Sequence, residues 1–324
     1  MSKKPETSFN SVFEQEVYQG LIDFPKHLSS KYFYDAKGDK LFQEIMKLPE
    51  YYLTDSELEI LQDHKEAIAG HFSSGGEAFN LIELGAGDGT KTRILLKYLQ
   101  ENRTSFQYLP IDISANVLEE LTTGLKSEFP GLAIRPVQGT YFESLDEICR
   151  IEHQRKVILF LGSNIGNLLH PQAVKFLVQV QEVMSANDLF LVGFDQKKDP
   201  QVILDAYNDP TGITEAFNKN ILTRINRELG GDFNVDNFRH WEVYDPETGT
   251  AKSYLVSQQA QEVNIKSLDL TVNFKPWETI HTEISQKYDD DVVSWLAAKA
   301  GLEIVDIFSD RNKLFKNYIF KKLP

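Results

Sequence analysis

From residue 79 onward the chain alternates short apolar runs with helical patterns, and this alternation restricts the fold more than any other feature. Amphipathic stretches at 90–100, 115–129 and 170–184 have the apolar spacing of helices. Around them lie apolar runs with the length of buried strands, namely 79–85, 106–114, 132–141, 156–163 and 188–196. Strands interleaved with helices predict an α/β fold with a parallel sheet and right-handed crossovers. In such sheets ligands bind beyond the carboxyl ends of the strands.

Past residue 199 this alternation stops. Residues 199–233 have a helical pattern that is interrupted at Asp209-Pro210-Thr211-Gly212. The following runs alternate apolar and polar residues and predict an antiparallel meander, with strands in 240–245, 251–265 and 268–274. Residues 199–285 therefore read as an insertion into the α/β domain.

The two ends of the chain complete this division. Residues 290–310 predict a helix and a strand, and 314–322 one more strand that forms an antiparallel edge hairpin with it. Residues 1–55 are rich in aromatic side chains without a strand period, and 56–72 predict a helix capped by Asp55 or Ser56. We therefore predict one domain from residues 56–198 and 286–324 and a second, α+β domain from residues 1–55 and 199–285.

Charge and composition narrow the class of partner. The chain has 324 residues, a net charge of −14 and one cysteine, Cys149. Proteins that bind nucleic acid usually carry a basic face, so a small polar substrate is the better expectation. One cysteine excludes an internal disulfide and a cysteine-based zinc site, and we expect no bound metal. The sequence has neither a long apolar span nor an apolar N-terminal segment, which predicts a cytoplasmic protein without membrane contact; we expect a monomer.

The stretch LIELGAGDG (81–89) joins the first predicted strand to a helix through three glycines at alternate positions. A phosphate-binding loop needs a different spacing that ends in Gly-Lys-Ser/Thr. A dinucleotide fold needs a third glycine where Thr90 stands. The pattern here is acidic-x-Gly-x-Gly-x-Gly, beginning at Glu83, which is typical of the S-adenosylmethionine turn of Rossmann-like methyltransferases. Asp112, at the end of the next strand, is placed to accept hydrogen bonds from both ribose hydroxyls. The alternative is a set of ordinary turn glycines and a surface aspartate.

Five further segments carry a more specific resemblance. They are KYFYDAKGDKLFQEIMKLPEYYLTDSE (31–57), ELGAGDGTKTR (83–93), FLGSNIGNL (160–168), AYNDPTGITEAFNKNILTRINRELGGDF (206–233) and TEISQKY (282–288). In this order, over nearly the whole chain, they resemble the histidine Nα-methyltransferases of ergothioneine biosynthesis. The resemblance implies a Rossmann-like class I methyltransferase sheet with a second, substrate-binding domain. It also implies conversion of histidine to its trimethylammonium betaine, hercynine, with three molecules of S-adenosylmethionine.

The same resemblance implies roles for individual residues. The residues expected to bind the substrate are Tyr51, Asn167, Tyr207, Glu283 and Ser285. Those expected to bind S-adenosylmethionine are Glu83, Gly85, Gly87, Lys91, Asp112, Thr140 and Tyr141. Tyr34 and Asn167 are the expected catalytic residues, with Tyr34, or a water it holds, accepting the proton of the amine and Asn167 orienting its lone pair. On an extended segment Glu283 and Ser285 face the same way, and an acidic acceptor beside a hydroxyl suits the two nitrogens of an imidazole.

Two positions depart from the family pattern. A gapless alignment places Ser253 where bacterial members have a methionine beside the imidazole, and Thr140 where an acidic residue often stands. Three other functions stay open on the sequence: an Nα-methyltransferase for another amino acid such as a tryptophan derivative, a non-catalytic S-adenosylmethionine-binding protein and a nicotinamide dehydrogenase. An indole offers a single donor, so Glu283 favours histidine. The polar set at residues 51, 167, 207, 283 and 285 favours an enzyme over a protein that only binds the cofactor.

Overall fold

The computed structural model describes residues 9–141, 143–145, 148 and 154–323. It divides into two compact units. We call residues 53–197 and 286–324 the sheet unit, and residues 1–52 and 198–285 the insertion unit. Cys149 and the first eight residues, on which the disulfide and signal-peptide predictions rest, lie outside the described residues.

The strands are numbered in chain order. They are β1 Phe79–Leu84, β2 Phe106–Asp112, β3 Ala133–Ile134, β4 Val137–Gln138, β5 Arg155–Phe160, β6 Leu189–Asp195, β7 Phe238–Asp245, β8 Thr250–Ser257, β9 Gln261–Ile265, β10 Leu270–Phe274, β11 Thr279–Gln286, β12 Leu302–Ser309 and β13 Phe315–Lys322. The α-helices whose bounds the structure gives are Val12–Ile22, Ala36–Ile45, Tyr52–Ser73, Thr92–Glu101, Ala115–Glu128, His170–Val183, Pro200–Tyr207, Ile213–Leu229 and Asp290–Lys299. Short 3-10 helices are Ser30–Phe33, Asn164–Asn167, Val235–Asn237 and Lys266–Leu268.

The sheet unit contains one eight-stranded sheet in the order β12-β13-β6-β5-β1-β2-β3, with β4 also paired to β2. The pairs from β6 through β5 and β1 to β2 are parallel, and β13 lies antiparallel to both β6 and β12. The parallel sheet and the C-terminal hairpin are thus confirmed. The predicted single strand at 132–141 is wrong, because it splits into β3 and β4 on either side of Arg135-Pro136, where proline has no N–H for the ladder.

The apolar runs of the central strands are explained by burial on both faces of the sheet. Every residue of β1 and of β6 is buried. Neighbouring residues of a strand point to opposite faces, so Ile82 belongs to one core cluster and Leu81 to another. The first cluster includes residues of the helices His170–Val183 and Asp290–Lys299. The second includes residues of the helices Tyr52–Ser73, Thr92–Glu101 and Ala115–Glu128. A sheet covered on both faces leaves its strand ends for ligands.

The insertion unit holds a three-stranded sheet, β11-β8-β7, and a separate two-stranded sheet of β9 and β10. The predicted pairing of β7 with β8 is confirmed, whereas the single meander is wrong. The free edge of β8 is taken by the segment that leads into β11, because Ser257 N donates to Glu278 O at 2.8 Å and Trp277 N donates to Ser257 O at 2.7 Å. Glu283 and Ser285 therefore lie on a strand of the sheet.

Helices in the N-terminal half differ from the prediction. The helix predicted from residue 56 begins at Tyr52, so Asp55 lies in its first turn and does not cap it. Two helices absent from the prediction, Val12–Ile22 and Ala36–Ile45, lie among the aromatic residues. Asp35 caps the second by accepting hydrogen bonds from the backbone N–H groups of its first turn. These helices and Ile213–Leu229 contribute to one core cluster of the insertion unit.

Candidate functional site

The turn after β1 is built for close approach to its backbone. Gly85, Gly87 and Gly89 all have positive φ, between 54° and 73°, in the left-handed region that favours glycine. A Cβ added to Gly85 would lie 2.9 Å from the Tyr141 hydroxyl, so a side chain there is excluded by contact as well as by conformation. Gly85 N and Ala86 N both donate to Ile111 O, which fixes the turn to the end of β2.

Asp112 lies at the carboxyl end of β2, directly beside the glycine turn. Its carboxylate accepts hydrogen bonds from Gly87 N at 3.2 Å and from Ser114 N at 3.0 Å. A carboxylate has about four lone-pair sites, so these two bonds leave acceptor capacity for a vicinal diol. The position supports the predicted contact with a ribose, which stays a prediction.

Thr140 and Tyr141 follow Gly139, whose backbone N donates to Asp112 O at 3.1 Å. The ring of Tyr141 packs edge-on against Phe160 at the end of β5, with 5.4 Å between centroids. Burial and the nearby Asp112 carboxylate raise the pKa of the Tyr141 hydroxyl to about 12, so this hydroxyl stays protonated at neutral pH. Thr140 Oγ1 donates to Glu143 at 2.6 Å. The structure thus brings Asp112, Thr140 and Tyr141, three of the predicted cofactor-binding residues, together at one edge of the sheet.

Glu83 lies within the interior of the sheet unit. Thr92 Oγ1 donates to one carboxylate oxygen at 2.5 Å, and the Tyr108 hydroxyl donates to the other. Burial raises the pKa of the Glu83 carboxyl to about 7, although the hydrogen bonds from Thr92 and Tyr108 lower it. Glu83 therefore joins β1 to β2 and to the start of the next helix. Direct contact with the cofactor stays a prediction.

Lys91 is anchored at its ammonium end. Its Nζ donates to Glu57 at 2.7 Å, and Glu57 is fully buried. The Lys91 side chain itself is 18% exposed. Sequence reasoning proposed Lys91 as a cofactor ligand and did not single out Glu57, which the chain presents as one of several acidic residues in a helical pattern.

The segment after β5 contains two asparagines, Asn164 and Asn167, whose side chains have different surroundings. Asn164 Nδ2 would lie 3.4 Å from a Cβ on Gly85, so its amide is beside the glycine turn. Asn167, the predicted catalytic and substrate-binding residue, ends the same short helix, Asn164–Asn167, and is exposed. The sequence signal for Asn164 was its position directly after a strand end, in SNIGN, and sequence reasoning missed it.

In the insertion unit the structure brings three predicted substrate residues together. The hydroxyls of Tyr207 and Ser285 lie 2.7 Å apart and are hydrogen-bonded in the buried interior. The ring of Tyr51 packs edge-on against that of Tyr207, with 6.4 Å between centroids. Glu283 is partly buried two residues before Ser285 on β11, where alternate residues face the same side. These four side chains combine three hydroxyls, a carboxylate and two aromatic rings.

Tyr34 belongs to the same group of aromatic rings. Phe42 lies between it and Tyr51, with ring centroids 5.6 Å from Tyr34 and 6.3 Å from Tyr51. The Tyr34 side chain is partly exposed, so its ring and hydroxyl are accessible. Its role in proton transfer stays a prediction.

Ser253, the departure from the family pattern, is part of a buried polar cluster. Its hydroxyl donates to Glu242 at 2.6 Å across the β7–β8 pair. Thr282 Oγ1 lies 3.1 Å from Ser253 O and 3.0 Å from Asn218 Oδ1. The serine hydroxyl thus bonds to a carboxylate that the sequence did not suggest.

Among the described residues, no set of three or more histidine, cysteine or acidic side chains is arranged to hold a metal ion. Nor does that part of the chain contain a helix with the length and apolar character required to cross a membrane.

Comparison with known proteins agrees with this geometry. The model of a protein family described as "Histidine-specific methyltransferase, SAM-dependent" matches residues 13–322. The histidine N-alpha-methyltransferase of Mycobacterium tuberculosis is 38% identical, over 94% of this chain and 93% of its own length. The protein of the same name from Mycolicibacterium smegmatis is 36% identical, over 91% of this chain and 90% of its own. Ergothioneine biosynthesis protein 1 of Schizosaccharomyces pombe is 29% identical over 91% of this chain, which matches 39% of that protein. The chain belongs to the family of histidine-specific, S-adenosylmethionine-dependent methyltransferases.

Proposed function

We propose that the protein transfers methyl groups from S-adenosylmethionine to the α-amino nitrogen of L-histidine and yields the trimethylated betaine hercynine. The observation that carries the proposal is the hydrogen-bonded pair of Tyr207 and Ser285, with Glu283 on the same side of β11. A protein that only held the cofactor would not need this polar set. The curated relatives named histidine N-alpha-methyltransferase support the same substrate.

Substrate recognition follows from the chemistry of these side chains. The Glu283 carboxylate accepts a hydrogen bond from one imidazole nitrogen, and the Ser285 hydroxyl bonds to the other. Tyr207, already bonded to Ser285, donates to the substrate carboxylate. Tyr51, packed on Tyr207, forms an apolar wall beside the ring. An indole has one N–H and no second nitrogen, so the pair at 283 and 285 discriminates against tryptophan.

The glycine turn and its neighbours fit S-adenosylmethionine. Gly87, where an added Cβ would meet no atom within 4 Å, leaves room for a ligand against the backbone, Asp112 has acceptor capacity for the ribose, and Tyr141 presents a ring. The Lys91 ammonium suits the carboxylate of the methionine moiety. The cofactor supplies an electrophilic methyl group on a sulfonium, and the protein's task is to position the amine.

Proton removal and alignment are the parts of the reaction that side chains perform. A free α-amino group has a pKa of about 8, so the amine must lose a proton before it attacks. A water held by the Tyr34 hydroxyl accepts this proton and passes it to the solvent, while the Asn167 amide orients the nitrogen lone pair. No strong base is required for this proton removal. Alignment of the amine nitrogen with the methyl group and its sulfur therefore supplies most of the rate enhancement. The rings of Tyr34 and Tyr51 accommodate the cationic product by cation–π contact. In this proposal the enzyme works as a monomer in the cytoplasm, which size-exclusion chromatography and cell fractionation test.

The direct test offers the purified protein S-adenosylmethionine with an equimolar panel of the amino acids and analyses the products by mass spectrometry. Three methyl groups gained on histidine alone are expected. Methylation of tryptophan or another amino acid would contradict the substrate assignment. Such a result would have a specific explanation, because Ser253 stands where bacterial family members have a methionine beside the imidazole. Bound cofactor with no product from any amino acid would contradict the enzymatic proposal.

Glu283→Ala then tests substrate recognition. Loss of a charged hydrogen bond to the imidazole should raise KM for histidine by about tenfold or more, with KM for S-adenosylmethionine unchanged. Glu262→Ala, which removes an exposed glutamate of β9 in the same unit, is the matched control and should change neither constant. A rise in KM for S-adenosylmethionine alone would contradict the role of Glu283.

A further inference from the structure

Glu57 is a buried carboxylate that the proposed reaction does not use directly. It accepts hydrogen bonds from Lys91 Nζ and from Gly162 N, each at 2.7 Å, and from Asn317 Nδ2 at 3.2 Å. Its side chain has no solvent exposure. Burying a charge costs several kcal/mol unless ion pairing and hydrogen bonds repay it, and this carboxylate has three donors.

The sheet is shaped to admit this carboxylate. A Cβ added to Gly193 of β6 would lie 2.3 Å from Glu57 Oε1, so only glycine leaves room there. Asn317 of β13, which supplies one of the donors, pairs directly with Gly193. Glu57 thus lies over two neighbouring strands and accepts a hydrogen bond from Gly162, two residues after the end of a third strand, β5.

The cation held by Glu57 lies at the ligand edge of the sheet. Lys91 Nζ would be 3.4 Å from a Cβ on Gly162, two residues after the end of β5. β5 pairs with β1, whose carboxyl end leads into the glycine turn. An ammonium group has three donors, and the bond to Glu57 uses one of them.

A purely structural role does not account for this pair. An apolar pair of similar volume is often as stable as a buried ion pair, or more stable, so stability alone does not favour two charges here. Lys91 also keeps part of its side chain exposed, whereas Glu57 is completely covered. The arrangement is that of a covered anion that holds the ammonium end of a partly exposed side chain.

We propose that Glu57 is a positioning residue, which holds the Lys91 ammonium at the carboxyl end of β5 so that it binds the carboxylate of the methionine moiety of S-adenosylmethionine. The inference rests on the proposed function, because it assumes that the glycine turn binds this cofactor. Glu57 itself does not touch the ligand. It acts by setting the position of Lys91.

Two ligands separate this role from a general structural one. S-adenosylhomocysteine carries the amino-acid carboxylate, and methylthioadenosine has the same nucleoside and sulfur without it. Isothermal titration calorimetry gives Kd of both ligands for the wild-type protein, Glu57→Gln, Lys91→Met and the double variant. Glu59→Gln, a neighbouring glutamate on the same helix that pairs with Arg311 at the surface, is the matched control.

If Glu57 positions Lys91, Glu57→Gln raises the Kd of S-adenosylhomocysteine by about tenfold or more. It changes the Kd of methylthioadenosine by less than about twofold. The double variant is then no weaker than Lys91→Met, because both changes remove the same contact. Asn317→Ala removes one donor to Glu57 but keeps both charges. This variant should raise the Kd of S-adenosylhomocysteine by about threefold and leave that of methylthioadenosine unchanged. It replaces Glu57→Gln in the test if Glu57→Gln does not fold.

Three results would overturn the inference. Equal weakening of both ligands means that Glu57 only maintains the fold. Unchanged or tighter binding of S-adenosylhomocysteine by Glu57→Gln means that Glu57 merely neutralises Lys91. A wild-type protein that binds neither ligand refutes the proposed function as well, which distinguishes that failure from the other two.

Discussion

The Glu83 carboxyl makes the stability of the sheet unit depend on pH in a direction that is unusual for an acidic residue. Burial raises its pKa to about 7 in the folded protein, whereas the ordinary value is 4.5. A carboxyl with a raised folded pKa contributes stability that is fully present below 4.5 and is lost as the pH rises through 7. The full difference between the two pKa values corresponds to about 3 kcal/mol of unfolding free energy.

Glu83→Gln removes this dependence and keeps the shape of the side chain. The amide is uncharged at every pH, and the Thr92 and Tyr108 hydroxyls can each donate or accept. Between about pH 5.5 and about pH 8.5 the wild-type protein should lose about 2 kcal/mol relative to the variant, the part of the titration that this interval covers. As the pH rises over this interval, the difference in unfolding free energy should therefore shift by this amount in favour of the variant.

Hydrogen exchange of peptides covering β1, read by mass spectrometry, measures the effect within the sheet unit. Comparing the two proteins at the same pH cancels the chemical exchange rate, and 2 kcal/mol corresponds to a change of about thirtyfold in the rate ratio. Glu101→Gln, at a glutamate whose side chain is 63% exposed, is the matched control and should give a ratio independent of pH. A pH-independent ratio for Glu83→Gln would show that the buried carboxyl titrates normally and would refute the reasoning.

Two further predictions concern a buried histidine and the glycine turn. Burial lowers the pKa of His240 to about 4 from an ordinary 6.5, so its contribution to stability is present above 6.5 and is lost as the pH falls towards 4. His240→Phe should therefore reduce the acid-induced fall in unfolding temperature over this interval, measured by circular dichroism; an unchanged fall would contradict the assignment. Gly85→Ala places a Cβ 2.9 Å from the Tyr141 hydroxyl at positive φ, and calorimetry should show at least about tenfold weaker binding of S-adenosylhomocysteine. Gly75→Ala, with open space around its Cβ, is the control.

The sheet could be predicted from the sequence because its signals are local. The strands β1, β5 and β6 are covered on both faces and so appear as continuous apolar runs. The glycines after β1 stand where the backbone has left-handed conformations, which glycine adopts without strain. In both cases a few neighbouring residues carry the information.

The insertion unit could be predicted less well because its pairings are not local. β11 pairs with one edge of β8, and β9 pairs with β10 instead, although these strands have similar alternating patterns. The helix Ala36–Ile45 carries local signals, namely the capping Asp35 and apolar residues at 41, 42 and 45, but it has only 10 residues. Its packing against the distant helix Ile213–Leu229, in one core cluster, stabilises it more than its own propensity does.

For the residues of the candidate site, too, prediction from the sequence depends on how far along the chain their partners lie. Glu83 was found because it stands within the glycine motif, and its two partners lie only 9 and 25 residues away. Glu57 stands in an ordinary helical pattern, and its partners lie 34, 105 and 260 residues away, so only the fold shows that it is a buried anion behind Lys91. Tyr207 and Ser285, whose hydroxyls bond across 78 residues, were each predicted to bind the substrate only through the resemblance to a family. A motif therefore identifies the residues that shape the backbone around a ligand, whereas the residues that fix the charged contacts have to be identified from the folded structure and tested by substitution.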